Sequence, residues 1–195
     1  MILRRICVFC GSNSGIDSSY SDAAVSLGRL LAKRSINLVY GGGNIGLMGV
    51  LADAVLDEGG KVIGVIPESL MAKEVGHNGL TELRIVNSMH ERKALMSDLS
   101  DGFIAMPGGF GTFEEFCEVV TWSQLGIQSK PCGLLNVEGY YDSLLRLFDH
   151  AVREGFLRKE NRQLVLEDRD PEQLLEKLSG FVPVAADKWI WKVER

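Results

Sequence analysis

Basic residues are in the minority: 21 lysines and arginines stand against 26 aspartates and glutamates, leaving a formal net charge of −5. A chain of that sign has no electrostatic footprint for nucleic acid or an anionic bilayer, which turns attention to small-molecule ligands. Histidine is scarcer still. His77, His90 and His150 lie far apart, and no set of histidines and cysteines has the spacing of a zinc site, so no metal is expected. Of four cysteines, Cys7 and Cys10 have CxxC spacing, but they fall inside the apolar run Ile6 to Cys10. Residues three apart on a strand point to opposite faces, which excludes a redox pair. All four cysteines, Cys117 and Cys132 included, are assigned to a reduced interior. No apolar run approaches the roughly 20 residues of a membrane span. Met1-Ile2-Leu3-Arg4-Arg5 leads into a strand rather than a signal peptide, so a cytoplasmic location is expected. Linkers, low-complexity tracts and internal repeats are also missing, and 195 residues with 46% hydrophobic content suit one domain over 1–195.

What is present is an alternation. Short apolar runs from Ile6 to Cys10, Asn37 to Tyr40, Val62 to Ile66, Leu83 to Val86, Phe103 to Met106, Cys132 to Leu135 and Leu164 to Glu167 read as seven strands. Between them, apolar residues recur at helical spacing from Tyr20 to Leu31 and from Leu47 to Val55. Further helices are expected from His90 to Asp98, Phe113 to Leu125, Tyr140 to Glu154 and Glu172 to Leu178. This pattern predicts a Rossmann-like, doubly wound α/β fold with a mainly parallel sheet and helices on both faces. Residues 67–81 form the longest irregular stretch and are a candidate active-site loop. The tail with Trp189 and Trp191 is expected to pack on the body or on a second subunit.

In such a sheet, ligands bind beyond the carboxyl ends of the strands. Three glycine-rich turns fall there: Gly11-Ser12-Asn13-Ser14, Gly41-Gly42-Gly43-Asn44-Ile45-Gly46, and Pro107-Gly108-Gly109-Phe110-Gly111-Thr112. Glycines before a helix expose backbone N–H groups to which the helix dipole adds partial positive charge, a socket for phosphate. Glu115 follows three residues after Thr112. A carboxylate there makes sense if the anion is one end of a nucleotide and Glu115 works on its sugar. The same residues also fit a capping box, with Thr112 and Glu115 closing the helix start between them. Further along, Met89-His90-Glu91-Arg92-Lys93 opens a helix with adjacent cations that oppose the dipole. Either Arg92 or Lys93 faces an anionic ligand, or local pairing with Glu91 or a distant carboxylate compensates them.

The run Pro107-Gly108-Gly109-Phe110-Gly111-Thr112-Phe113-Glu114-Glu115, preceded by Arg92-Lys93, resembles the signature of the LONELY GUY family of nucleotide phosphoribohydrolases. The likeness extends from Cys10-Gly11-Ser12 and Tyr40-Gly41-Gly42-Gly43 through Gly46-Leu47-Met48-Gly49 to Gly139-Tyr140-Tyr141, with Asn13 replacing the family's usual second serine. The resemblance implies release of the base from purine or cytokinin riboside 5′-monophosphates, AMP included. It implies Arg92 and Glu115 as catalytic residues. It also implies that Glu74, Lys93, Thr121 and the stretch Gly109, Phe110, Gly111 and Thr112 bind substrate. Phe113 and Glu114 of the signature, with Ser12 and Gly43 of the other turns, complete the expected binding set. The family's frequent label "lysine decarboxylase" has no physical basis here, since no lysine sits in a pyridoxal-phosphate context.

N-glycosidic hydrolysis passes through an oxocarbenium-like sugar, so it needs a carboxylate near the ribose and asks for no cofactor. Members with this signature are at least dimeric. Phe113, Phe116, Val119, Val120 and Trp122 make their helix apolar on more than one face, which suits a helix buried in its own fold or shared with a second copy. Two other classes share related folds: molybdenum-cofactor carriers and single-stranded DNA-processing proteins. Retention of Arg92 and Glu115 favours the enzyme over the first, and the acidic balance disfavours the second.

Overall fold

A computed structural model describes residues 1–71 and 76–183; Glu74, Trp189 and Trp191 lie outside the described residues. Seven strands form one sheet: β1 (Arg5–Phe9), β2 (Asn37–Tyr40), β3 (Val62–Pro67), β4 (Glu82–Val86), β5 (Gly102–Ala105), β6 (Cys132–Leu135) and β7 (Val165–Asp168). Their order is β4-β3-β2-β1-β5-β6-β7, and every neighbouring pair is parallel. The helices are α1 (Ser18–Lys33), α2 (Gly46–Asp57), α3 (Glu68–Met71), α4 (Met89–Asp98), α5 (Phe110–Gln124), α6 (Asp142–Arg153), α7 (Lys159–Arg162) and α8 (Pro171–Ser179), with a 3₁₀ turn at Val137–Gly139.

Alternation along each strand splits the core into two layers. Ile6, Val8, Leu38, Val62, Ile104 and Leu135 face one side, where they meet Leu27 and Leu31 of α1, Leu51 and Val55 of α2, and Leu174 and Leu178 of α8. Cys7, Phe9, Val39, Ile63, Phe103 and Leu134 face the other, against Met96 of α4 and Phe116 and Val119 of α5. Strands buried on both faces, such as β2, β3, β5 and β6, read as apolar runs in the sequence, whereas the edge strands β4 and β7 carry charged residues.

Three expectations need correction, and one left open is resolved. Helix α5 begins at Phe110, not Phe113, and its N-cap is Gly109, with no side-chain capping bond. Thr112 is therefore in the third helical position, and the capping-box reading of Thr112 and Glu115 falls away. Cys117 is exposed rather than interior. Phe116 is 1% exposed, and Phe113, Val120 and Trp122 pack against the second core layer, so their own fold accounts for the apolar faces of α5. Helix α6 starts at Asp142 instead of Tyr140, following the 3₁₀ turn.

Leu27 is fully buried between α1 and the sheet. Leu27→Ala is expected to lower unfolding free energy by about 2–5 kcal/mol, read as a lower urea midpoint with unchanged slope.

Candidate active site

The sheet is entered at β1, and the chain runs outward from it through β2, β3 and β4 before returning to add β5 on its other side. The turns after β1 and β5 consequently diverge, leaving a crevice at the carboxyl ends of the strands. A cleft of about 320 Å³ opens there, bordered by Ser12, Gly41, Arg92, Gly109, Phe110, Gly111, Thr112, Glu114 and Glu115. Met48, Leu70, Met89 and Met96 give it an apolar wall. A larger depression of about 480 Å³ lies between α1 and α8, but its charged groups, such as Asp22, Arg29, Lys33 and Glu172, belong to an ordinary solvated surface. Backbone N–H groups, a buried cation and a carboxylate converge only on the smaller cleft of the two.

At one end of the cleft lies the start of α5. The first intrahelical bond runs from Phe113 N to Gly109 O, at 3.1 Å, so the N–H groups of Phe110, Gly111 and Thr112 precede the helical ladder. A Cβ added at Gly109 or Gly111 would meet nothing within 4 Å, so no internal packing demands glycine at either position. Their bareness leaves the cleft side of the helix start open to a ligand. At Gly108 the demand is internal: a Cβ there would collide with Thr112 Oγ1 and lie 2.8 Å from Gly11 N.

Glu115 is half-buried on the same helix, four residues after Gly111 and so on the same face. Four residues rise about 6 Å, the separation that a ribose places between its 5′-phosphate and its reacting carbon. Arg92 arrives from α4. Ser88 caps that helix by accepting from Glu91 N at 3.1 Å, and the Glu91 carboxylate accepts from Asn87 N at 2.8 Å, so Glu91 serves the helix start. Arg92 itself is 6% exposed, and its Nη2 donates to Gly41 O at 3.1 Å. Any Cβ at Gly41 would collide with this guanidinium, which explains the glycine after β2.

Burial pushes the Cys7 thiol well above its ordinary pKa, Glu115 adds to the rise, and Arg92 opposes it. Both charges thus act on one buried point beneath the cleft. Cys10, in the cleft wall, is likewise raised far above the usual thiol range, by burial and then by Glu115. It stays a neutral thiol and a poor nucleophile.

The expected site residues divide. Ser12, Arg92, Gly109, Phe110, Gly111, Thr112, Glu114 and Glu115 border the cleft. Lys93 turns instead to α5, with its Nζ 2.5 Å from Glu114 and 3.0 Å from Glu118. Partial burial works against that ammonium, but its hydrogen bonds to the two carboxylates prevail and its pKa rises. Phe113 turns away to meet Tyr140 and Tyr141, with centroid distances of 6.4 and 6.3 Å. Gly43 is buried in a bridge to Gly76, and Thr121, exposed on α5, donates to Cys117 O at 2.7 Å. The apolar wall went unforeseen because it is assembled from α2, α3 and α4 and has no local pattern.

Sheet order defines a Rossmann-like protein, whose cleft is lined by a glycine-bearing helix start and by Arg92 and Glu115. Residues 48–178 match the family model described as "Possible lysine decarboxylase". The chain is 53% identical over 195 residues to the cytokinin riboside 5′-monophosphate phosphoribohydrolase LOG3 of Arabidopsis thaliana, covering 98% of this chain and 91% of that protein. It is also 53% identical to the enzyme of the same name, LOG, from Oryza sativa subsp. japonica, over 96% of this chain and 78% of that one. Among solved structures, the molybdenum cofactor binding protein from Rippkaea orientalis superposes with a TM-score of 0.67 at 20% identity, covering 92% of this chain and 97% of that one. The molybdenum cofactor carrier protein from Chlamydomonas reinhardtii gives 0.66 at 20% identity, over 89% and 98% of the two chains. Those two likenesses establish a shared fold. This chain belongs to the LONELY GUY family, the group within the "possible lysine decarboxylase" model that its curated relatives represent.

If Gly41 is glycine only to admit Arg92, then Gly41→Ala and Arg92→Ala must be non-additive. Each alone is expected to lower kcat/KM for the nucleotide by at least about tenfold, and the double variant to lose little more than the worse single one. Additive losses in that cycle would separate the two residues.

Proposed function

We propose that this protein hydrolyses the N-glycosidic bond of purine and N6-prenylated purine riboside 5′-monophosphates, AMP included, to free base and ribose 5-phosphate. The observation that carries the reading is the placement of Glu115 on the same face of α5 as the bare glycine start, with the Arg92 guanidinium bordering the same cleft. The identity to the curated phosphoribohydrolases supports it independently.

In this mechanism the N–H groups of Phe110, Gly111 and Thr112 hold the 5′-phosphate, with Ser12 beside them. Glu115 faces the ribose. It stabilises positive charge as the bond from C1′ to the base nitrogen breaks, and accepts a proton from the water that attacks C1′. The bonding pair leaves with the base, which takes up a proton from solvent water. Arg92 orients the substrate by hydrogen bonding; always charged, it is not the proton donor to the base. Met48, Leu70, Met89 and Met96 offer the purine and an N6 substituent an apolar, adaptable surface. Remote phosphate binding fixes this geometry, so unphosphorylated ribosides are poor substrates. Lys93 acts by clamping Glu114 and Glu118 and thereby the start of α5. None of the described residues bordering the cleft is a lysine.

The active form is proposed to be a homodimer. The two sheet faces differ in cover: α1 fully buries Ala24, Leu27 and Leu31, whereas α6 buries no residue completely and leaves Leu147 58% exposed. With Leu125 and Ile127 exposed at the end of α5, a second copy over this face completes the layer. Thr121, exposed on the same helix, then has a route to a nucleotide through the neighbouring copy. No helix among the described residues is long and apolar enough to cross a membrane.

Incubation with AMP and with isopentenyladenosine 5′-monophosphate is expected to release free base and ribose 5-phosphate, separable by chromatography. Tight binding with no release of base would reassign the protein as a carrier. Glu115→Gln, which keeps a hydrogen-bonding amide of the same shape while deleting the charge, is expected to fold normally and to lose at least about 100-fold in kcat. Sedimentation at micromolar concentration is expected to give a dimer that Leu147→Asp dissociates; an active wild-type monomer would refute the assembly.

A further inference from the structure

The loop that leads into α5 is organised by its carbonyl groups. Met106 O accepts from the Tyr141 hydroxyl at 2.6 Å, and Pro107 O accepts from Gly11 N at 3.0 Å. Gly108 O accepts from the Tyr140 hydroxyl at 2.5 Å, and Gly109 O from Phe113 N at 3.1 Å. Four successive carbonyls are thus drawn into the protein. A trans peptide points its C=O and the next residue's N–H in opposite directions, and no cis bond occurs among the described residues. Fixing Gly108 O on Tyr140 therefore fixes the direction of Gly109 N–H.

The two ends of that peptide unit face different spaces. Gly108 and Tyr140 border a separate cavity of about 290 Å³ beside Gly11, Asn13 and Tyr20, and neither borders the cleft of Arg92 and Glu115. Gly109 borders both. With its carbonyl partner held on the Tyr140 side, the Gly109 N–H is aimed at the cleft, next to the amides of Phe110, Gly111 and Thr112.

We infer that Tyr140 is a positioning residue for phosphate: its hydroxyl anchors the Gly108–Gly109 peptide and so recruits Gly109 N–H as a fourth donor at the start of α5. The inference rests on the proposed phosphate site. Tyr140 is equipped for the task, since its ring is held edge-on by Tyr141 at 5.1 Å and by Tyr20 at 5.9 Å. Its backbone leaves a 3₁₀ turn that Asn136 braces, accepting from Tyr141 N at 2.7 Å and donating to Asp142 at 2.8 Å. Without Tyr140 the peptide can rotate, and a carbonyl oxygen turned toward the cleft would repel the anion that an amide attracts.

Tyr141 supplies the control. Its hydroxyl makes a matching bond, but Met106 precedes a proline, which has no N–H to aim. Tyr141 is 1% exposed, so its bond is one of stability, whereas Tyr140 is 39% exposed and Gly108 O can take water in its place. Tyr140→Phe is expected to raise KM for AMP and the inhibition constant of inorganic phosphate together, by about tenfold, leaving inhibition by free adenine and the melting temperature near wild type. Tyr141→Phe is expected to do the reverse, lowering the melting temperature with phosphate inhibition retained. Wild type that phosphate does not inhibit would overturn the phosphate site and this inference with it. A phosphate-sensitive wild type matched by an equally sensitive Tyr140→Phe would overturn the inference alone, as would equal weakening of phosphate and adenine.

Discussion

A sheet with no antiparallel pair has no hairpins, and here its two halves leave a shared central strand in opposite directions. That constraint places β1 beside both β2 and β5 and parts the turns that follow them. The cleft of Arg92 and Glu115 opens in the resulting gap. Gly11 binds Pro107 O and Leu47 N binds Gly11 O, so the turn after β1 ties the other two glycine turns together at 3.0 and 3.1 Å. The end of β1 forms the floor of the cleft, and turns and helices bring different residue types to its lining.

The second organising fact is a guanidinium placed almost out of water. A buried cation is tolerable only with hydrogen-bond acceptors and nearby negative charge. Gly41 O provides one acceptor, and Glu115 borders the same cleft. The neighbouring lysine takes the opposite course: Lys93 satisfies its charge on α5 with Glu114 and Glu118. Two adjacent cations thus have different work, one facing the cleft and one holding two helices in register.

The strands were the most legible part of the sequence. Runs such as Val62 to Ile66 and Cys132 to Leu135 have no charged or polar side chain because both faces of each strand are covered, and a polar residue on one side and a proline on the other bound each of them. The start of α5 was misplaced for an equally physical reason. Gly111 has poor helix propensity, which suggests a helix beginning after it, yet the first turn of a helix is where ligand access can outweigh propensity. That error made Thr112 look like a cap. Arg92 and Glu115 could be singled out from charge next to glycine turns, but no local spacing distinguishes Arg92 from Lys93; only the approach of Gly41 does. The apolar wall and the hydroxyl of Tyr140 come from elements distant in sequence, joined solely by the sheet order.

That order also governs how the chain can be made. Ile6 to Phe9 pair on one side with β2, about thirty residues downstream, but their other edge waits for Gly102 to Ala105. At typical ribosomal rates of about 5–20 residues per second, the nascent strand spends several seconds with that apolar edge unpaired after β2 has emerged. Its backbone donors and acceptors are then open to any neighbouring chain. Among the strands that end with two neighbours, the first therefore waits longest for its second.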